Sequence, residues 1–169
     1  MERVCIFVDG SNLYHGAKAL LPDGRIDIQK LITWLCGERQ LLRAYYYNVP
    51  MPPTPDPTAS KAQQRFFDAL AHIDYLEVRL GRLEPRGETL VEKGVDVQIA
   101  VDMLEMAVRN VYDTAILVSS DGDFAKAIEA VKGWGKHVEV AHFERAYRVK
   151  QAADKTIELN EETLKPLLR

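Results

Sequence analysis

Val4-Cys5-Ile6-Phe7-Val8-Asp9-Gly10-Ser11-Asn12 is five apolar residues in succession, then a carboxylate, a glycine and two polar turn formers. A short apolar run without polar alternation reads as a strand buried on both faces, the habit of a parallel sheet covered by helices. A second stretch repeats the pattern: residues 114–119 form a near-continuous apolar strand, followed by Ser120-Asp121-Gly122-Asp123-Phe124. In a doubly wound sheet of order 3-2-1-4-5 these strands, first and fourth, are neighbours at the switch point. Ligand crevices open there, beyond the carboxyl ends.

The rest of the chain fills in that sheet. Ile28, Leu31, Ile32 and Leu35 recur at helical spacing, and residues 42–49 read as the second strand. Residues 50–57, with five prolines in eight positions, are a loop. Ser60 is the expected cap of a helix whose stripe is Ala62, Phe66, Leu70 and Ile73. Residues 76–83 are the third strand and carry Arg79 and Arg82, residues 84–93 read as polar and irregular, and residues 95–111 are helical. A helix over 124–132 and a fifth strand over 137–142 complete the pattern. The expectation is an α/β fold, a mainly parallel five-stranded sheet with right-handed crossovers and helices on both faces.

With 169 residues, 47% apolar and 28% charged, the chain is sized and composed as one globular domain, 1–169. The five-residue apolar run near the amino terminus is far too short for a signal peptide or a membrane span, so a cytoplasmic protein is expected. Cys5 and Cys36 sit in apolar settings and read as reduced core residues, not a disulfide framework or zinc cluster. A net charge of −3 rules out a wholly basic surface, while leaving room for a local basic groove beside an acidic site.

The acids carry the chemistry. Asp9, Asp121 and Asp123 converge at the switch point, and Gly10 and Gly122 are expected in turns with backbone angles closed to other residues. On the helical wheel Gln98, Asp102, Glu105 and Arg109 share a polar face, whereas Asp96 points where an apolar residue belongs. Asp102 therefore reads as a solvated residue before a ligand. Asp-Gly dipeptides are common turns and Asp96 could merely cap a helix, but the acids together are harder to dismiss. Carboxylates about 4 Å apart repel by about 4 kcal/mol per pair at an effective dielectric of about 20. Several such pairs rival the stability of a whole domain, so a cation must sit among them or some must be protonated. An all-oxygen set favours Mg2+ or Mn2+ over zinc. Asn12 and Ser119 could orient a carboxylate or a water on the ion.

Phe7-Val8-Asp9-Gly10-Ser11-Asn12, Glu92-Lys93-Gly94-Val95-Asp96-Val97 with Asp102, and Val118-Ser119-Ser120-Asp121-Gly122-Asp123-Phe124 together resemble the NYN domain family, nearest its LabA-like branch. The likeness runs from about residue 4 to residue 143. It implies a three-layer, PIN-like Rossmannoid fold and, as in several relatives, metal-dependent cleavage of RNA; other members are known chiefly as regulators. By position it carries the metal-site role to Asp9, Asp96, Asp121 and Asp123, and raises Asn12 and Asp102 to supporting residues. Ser120 departs from the Ser-Gly-Asp often found there, without touching the carboxylates. Residues 144–169 would be a carboxyl-terminal extension packing on the domain or on a partner.

The expected reaction is hydrolysis of RNA phosphodiester bonds by water at one or two ions held by the four aspartates. Phosphate needs positive partners: Arg79, Arg82, Arg86 and Lys93 lie in and after the third strand, and Lys18 and Arg25 follow the first motif. Tyr14, beside the Asp9 turn, could stack on a base. A haloacid-dehalogenase-like phosphatase is disfavoured because Ser11 stands where its second aspartate belongs, and no phosphate-binding glycine loop follows the first strand. The rival from another class is a non-catalytic RNA-binding or regulatory module that keeps the metal site. Leu164, Leu167 and Leu168 in the tail could pair two copies into a homodimer or cover their own core.

Overall fold

The opening apolar run forms β1 (Arg3–Asp9), in which Val4, Cys5, Ile6, Phe7 and Val8 are wholly excluded from solvent. The structure, a computed structural model, describes the backbone of residues 1–169 and every side chain except that of Glu92. Successive strand residues face opposite ways, so β1 feeds two cores. Val4, Ile6 and Val8 join one, and Cys5 and Phe7 the other.

The chain continues through α1 (Gly10–Leu20), α2 (Ile28–Cys36), β2 (Gln40–Asn48), α3 (Pro57–Ala71) and β3 (Leu76–Leu80). Next come β4 (Arg82–Arg86), β5 (Thr89–Lys93), α4 (Val95–Val108) and β6 (Thr114–Val118), then a 3-10 turn (Gly122–Phe124) and α5 (Ala125–Gly133). β7 (His137–His142), α6 (Tyr147–Ala152), β8 (Lys155–Glu158) and α7 (Glu161–Leu164) follow. The main sheet has the order β3-β2-β1-β6-β7-β8, and every pairing in it is parallel. On one face α1, α2, α3 and α7 bury Leu13, Leu31, Phe67 and Leu164. On the other α4, α5 and α6 bury Ile99, Met103, Ile128 and Val149. At about 2 kcal/mol per fully buried large aliphatic side chain, these two layers hold the sheet.

The expected order 3-2-1-4-5 is present as β3-β2-β1-β6-β7, with a sixth strand beyond it. β8 lies in the tail, and Leu159, Leu164 and Leu167 are buried in the domain's own core. Residues 84–93 are not irregular: β4 and β5 form an antiparallel hairpin, its turn made by Gly87 at φ 65°. Its residues are mostly exposed, so no burial pattern marked it. The third strand correspondingly ends at Leu80 rather than running on to residue 83.

α1 escaped the sequence reading because only Gly10, Leu13 and Ala17 of its residues are buried. It is nucleated instead by Asp9, whose side chain accepts the Asn12 N–H at 3.3 Å. α3 is capped by Asp56, which accepts the Ala59 N–H at 2.9 Å with Pro57 in the first turn, and Ser60 lies inside the helix. Near the amino edge of the sheet, buried Glu139 of β7 takes both terminal nitrogens of Arg39, at 2.9 and 3.2 Å. Arg39 also donates to the carbonyls of Cys36 and Leu35, tying the end of α2 to the sheet.

Candidate metal-binding site

Two strands deliver carboxylates to one crevice. Val8 of β1 stands opposite Val118 of β6, so Asp9 and Ser119 leave the sheet side by side. Ser119 Oγ donates to Asp9 Oδ2 at 2.9 Å and accepts the Asp121 N–H at 3.1 Å. Asn12 Oδ1 accepts the Ser120 N–H at 3.0 Å. Asn12 and Ser119 thus latch the β1 and β6 loops together and hold the Asp9 side chain.

Gly10 is needed for space and not for a left-handed backbone. A Cβ there would lie 2.5 Å from Tyr46 Cζ and 2.6 Å from the Tyr47 carbonyl oxygen. Gly122 likewise has no positive φ. The left-handed position in this region is Gly94 at φ 90°, where the chain swings out of the hairpin into α4 without a side-chain cap. α4 links parallel strands by a crossover and runs back along the sheet, so its first turn lies over the carboxyl edge. Asp96 sits in that turn, and this explains an acid at a position where the wheel asked for an apolar residue.

One carboxylate oxygen from each of Asp96, Asp121 and Asp123 lies within 4.8 Å of the other two. Asp121 is half-buried and its Oδ1 accepts the Asp123 N–H at 2.9 Å, while Asp96 and Asp123 are exposed. Asp9 is outside this triplet but within its field. Burial pushes the Asp9 carboxyl up to about 6, against the hydrogen bonds from Ser119 and Asn12, and the charges of Asp96 and Asp121 raise it further. The donors suit a hard divalent ion. Oxygens about 2.1 Å from one Mg2+ are at most about 4.2 Å apart, so the triplet needs only a small closure of flexible side chains.

Asp102 does not join the triplet. It is buried on the inner face of α4, not solvated as the wheel suggested, because the sheet supplies polar partners for it. Its Oδ2 accepts the Tyr47 hydroxyl at 2.7 Å and Arg79 Nη1 at 2.6 Å. Arg79, stacked 4.5 Å over the Tyr45 ring and also 3.4 Å from Glu77, is thereby committed to a structural network. Of the other expected cations, exposed Arg82 pairs with Glu84 at 2.8 Å. Lys18 Nζ donates to the Tyr14 hydroxyl at 3.3 Å, and Tyr14 itself is exposed on α1. Arg86 is exposed at the tip of the hairpin. Lys93 lines an open groove with Arg82, Gln98 and Asp102, between the hairpin and α4.

A second groove went unnoticed in the sequence. It is bounded by Ser120 and Gly122 of the acidic loop and by Glu144, Arg145, Ala146, Tyr147, Arg148 and Lys150. Three cations and a tyrosine within six residues, just past a strand end, were the available signal. The missing apolar periodicity after residue 143 hid it.

Among the described residues, no helix is long and apolar enough to cross a membrane. The family model described as the NYN domain matches residues 3–160. The protein named "Low amplitude and bright protein LabA" of Synechococcus elongatus is 28% identical over 170 residues, 95% of this chain and 85% of its own length. The uncharacterized protein y4oD of Sinorhizobium fredii is 28% identical over 105 residues, 59% of this chain and 48% of its own. Among solved structures, a protein of unknown function, VPA0982 of Vibrio parahaemolyticus, superposes with a TM-score of 0.79 at 24% identity, covering 99% of this chain and 96% of its own. With its parallel sheet, paired helical layers and acidic switch point, the chain belongs to the NYN domain family and has a homologue in LabA.

Proposed function

We propose that this protein is a metal-dependent ribonuclease that hydrolyses RNA phosphodiester bonds at the Asp9–Asp96–Asp121–Asp123 crevice. Membership of a family in the PIN-like nuclease superfamily supports an RNase-type activity. The observation that carries the reading is the meeting of Asp96, Asp121 and Asp123 within 4.8 Å at the carboxyl edge. Asp96 and the Asp121–Asp123 pair come from separate elements, and a fold has little reason to gather them unless a cation offsets their repulsion.

Asp96, Asp121 and Asp123 would hold Mg2+ or Mn2+, with buried Asp9 behind them adding charge. The bound ion supplies Lewis acidity and offsets the charge of the scissile phosphate. Ser119 and Asn12 fix the Asp9 carboxylate and couple it to the Asp121 loop. Asp123 is exposed and, among the described residues, its carboxylate accepts no hydrogen bond. It is therefore the acid with free lone pairs to take the proton of the attacking water.

The test is cleavage of a short single-stranded RNA in Mg2+ or Mn2+. Asp121→Asn and Asp96→Asn should each lower the rate at least about 100-fold while the protein stays folded, and chelation should abolish it. Undiminished cleavage by Asp121→Asn protein would remove this assignment. The net charge of −3 favours the second reading, a regulatory module that binds RNA without cutting it. RNA bound and recovered intact from the wild-type protein in both metals would establish that instead.

A further inference from the structure

An acidic centre repels the polymer it is proposed to cut, so the phosphates beside the scissile bond need cations of their own. Three of the six cations nominated in the sequence are engaged: Arg79 with Asp102, Arg82 with Glu84, Lys18 with Tyr14. Arg145, Arg148 and Lys150 are not. Among the described residues, none of the three forms an ion pair, although Glu144 shares their groove.

Position adds to charge. The groove, of about 560 Å³, has Ser120 and Gly122 as one wall, the residues flanking Asp121. The aliphatic stem of Arg148 lies against Gly122, its Cδ only 3.1 Å from where a Cβ would stand. Arg148 is therefore held beside the residue that separates Asp121 from Asp123. α6 is anchored by Val149 and Ala152 in the core, which fixes its outer face. On that face Tyr147 is 73% exposed, an aromatic ring presented to water with no packing role. Cations lining a groove around an open aromatic platform suit an unpaired strand, whose bases are free to stack. Stacked bases of a duplex are not.

We infer that the groove along α6 is the track for single-stranded RNA next to the acidic centre, with Arg148, Arg145 and Lys150 on successive phosphates and Tyr147 under a base. The inference deepens the ribonuclease reading and rests on it for the identity of the polymer.

Binding of a fluorescein-labelled 12-nucleotide oligouridylate to the full chain in EDTA, followed by anisotropy across a salt series, is the test. Arg145→Ala and Arg148→Ala should each weaken binding about five- to tenfold and make the slope of log K against log salt shallower by about 0.7. Tyr147→Ala should weaken it about tenfold and leave the slope unchanged. Arg109→Ala, at the far end of α4, should match the wild type. All four positions are exposed, so equal melting temperatures establish that the variants fold. Wild-type protein that does not bind the oligonucleotide, groove variants that bind it equally well, or tighter binding of a 12-base-pair RNA duplex would each overturn the track. Cleavage with KM unchanged in the groove variants overturns the track and keeps the nuclease. Groove-dependent binding with no cleavage in either metal keeps the track and removes the nuclease.

Discussion

Replacing Asp9 by asparagine should stabilise the metal-free protein at neutral pH while weakening its response to divalent ions. Burial, with added repulsion from Asp96 and Asp121, raises the Asp9 carboxyl from its ordinary 3.8 to about 6. That difference corresponds to about 3 kcal/mol of stability forgone whenever the group is ionised in the folded state. The folded pKa is the higher one, so this stability is present below about pH 4 and lost as pH rises through about 6. The substituted amide keeps an oxygen for the Asn12 N–H. It places an NH2 against Ser119 Oγ, which loses its acceptor at a cost of about 1 kcal/mol. A net gain of about 2 kcal/mol at pH 7.5 should raise Tm by about 4–8 °C for a domain of this size. Thermal melts in EDTA at pH 7.5 and 4.5 measure it. The gain should all but vanish at pH 4.5, where the wild-type carboxyl is already largely protonated, and millimolar Mg2+ should stabilise the wild type more than the variant. A variant less stable than wild type at pH 7.5 without metal would refute the placement of a strained charge at position 9.

The Arg39–Glu139 pair should behave in the opposite sense: Arg39→Met, which leaves buried Glu139 only the His137 ring at 3.3 Å, should cost about 3 kcal/mol in urea unfolding, and adding Glu139→Gln should recover part of it. Tyr47→Phe, which removes the hydroxyl donated to Asp102 at 2.7 Å, should cost about 2 kcal/mol by the same measurement, with Arg79 still in place. Gly10→Ala should destabilise by about 3 kcal/mol or more, visible as lost soluble yield or a lowered Tm, because Tyr46 and the Tyr47 backbone already occupy the space a Cβ needs.

The central five strands were legible because burial on both faces leaves a direct trace, an apolar run such as 4–8 or 114–118 closed by a turn. What rests on less burial was not. The β4–β5 hairpin is mostly exposed, α1 hides only a narrow stripe, and β8 is an edge strand with Ile157 alone facing a core. Neither the hairpin nor the edge strand has a hydrophobic pattern to read. Asp96, Asp121 and Asp123 were legible as a set because they sit at strand and helix ends, where topology alone fixes proximity. Asp102 was read as solvated because the wheel assumes that polar residues seek water. Tyr47, 55 positions away in sequence, offers a buried partner that no local pattern can register. Arg145, Arg148 and Lys150 went unassigned because their neighbourhood depends on which loop packs beside α6.

The hydroxyl of Ser119 reaches Asp9 across 110 positions of sequence. A growing polypeptide presents Asp9 early and must wait for most of the domain to emerge before β6 can slide in beside β1. Until then the acids are dispersed, and no part-made chain can concentrate a cation on them. The four aspartates therefore meet only once β6 and the loop after it have been made, while the outer strands β7 and β8 are still to come.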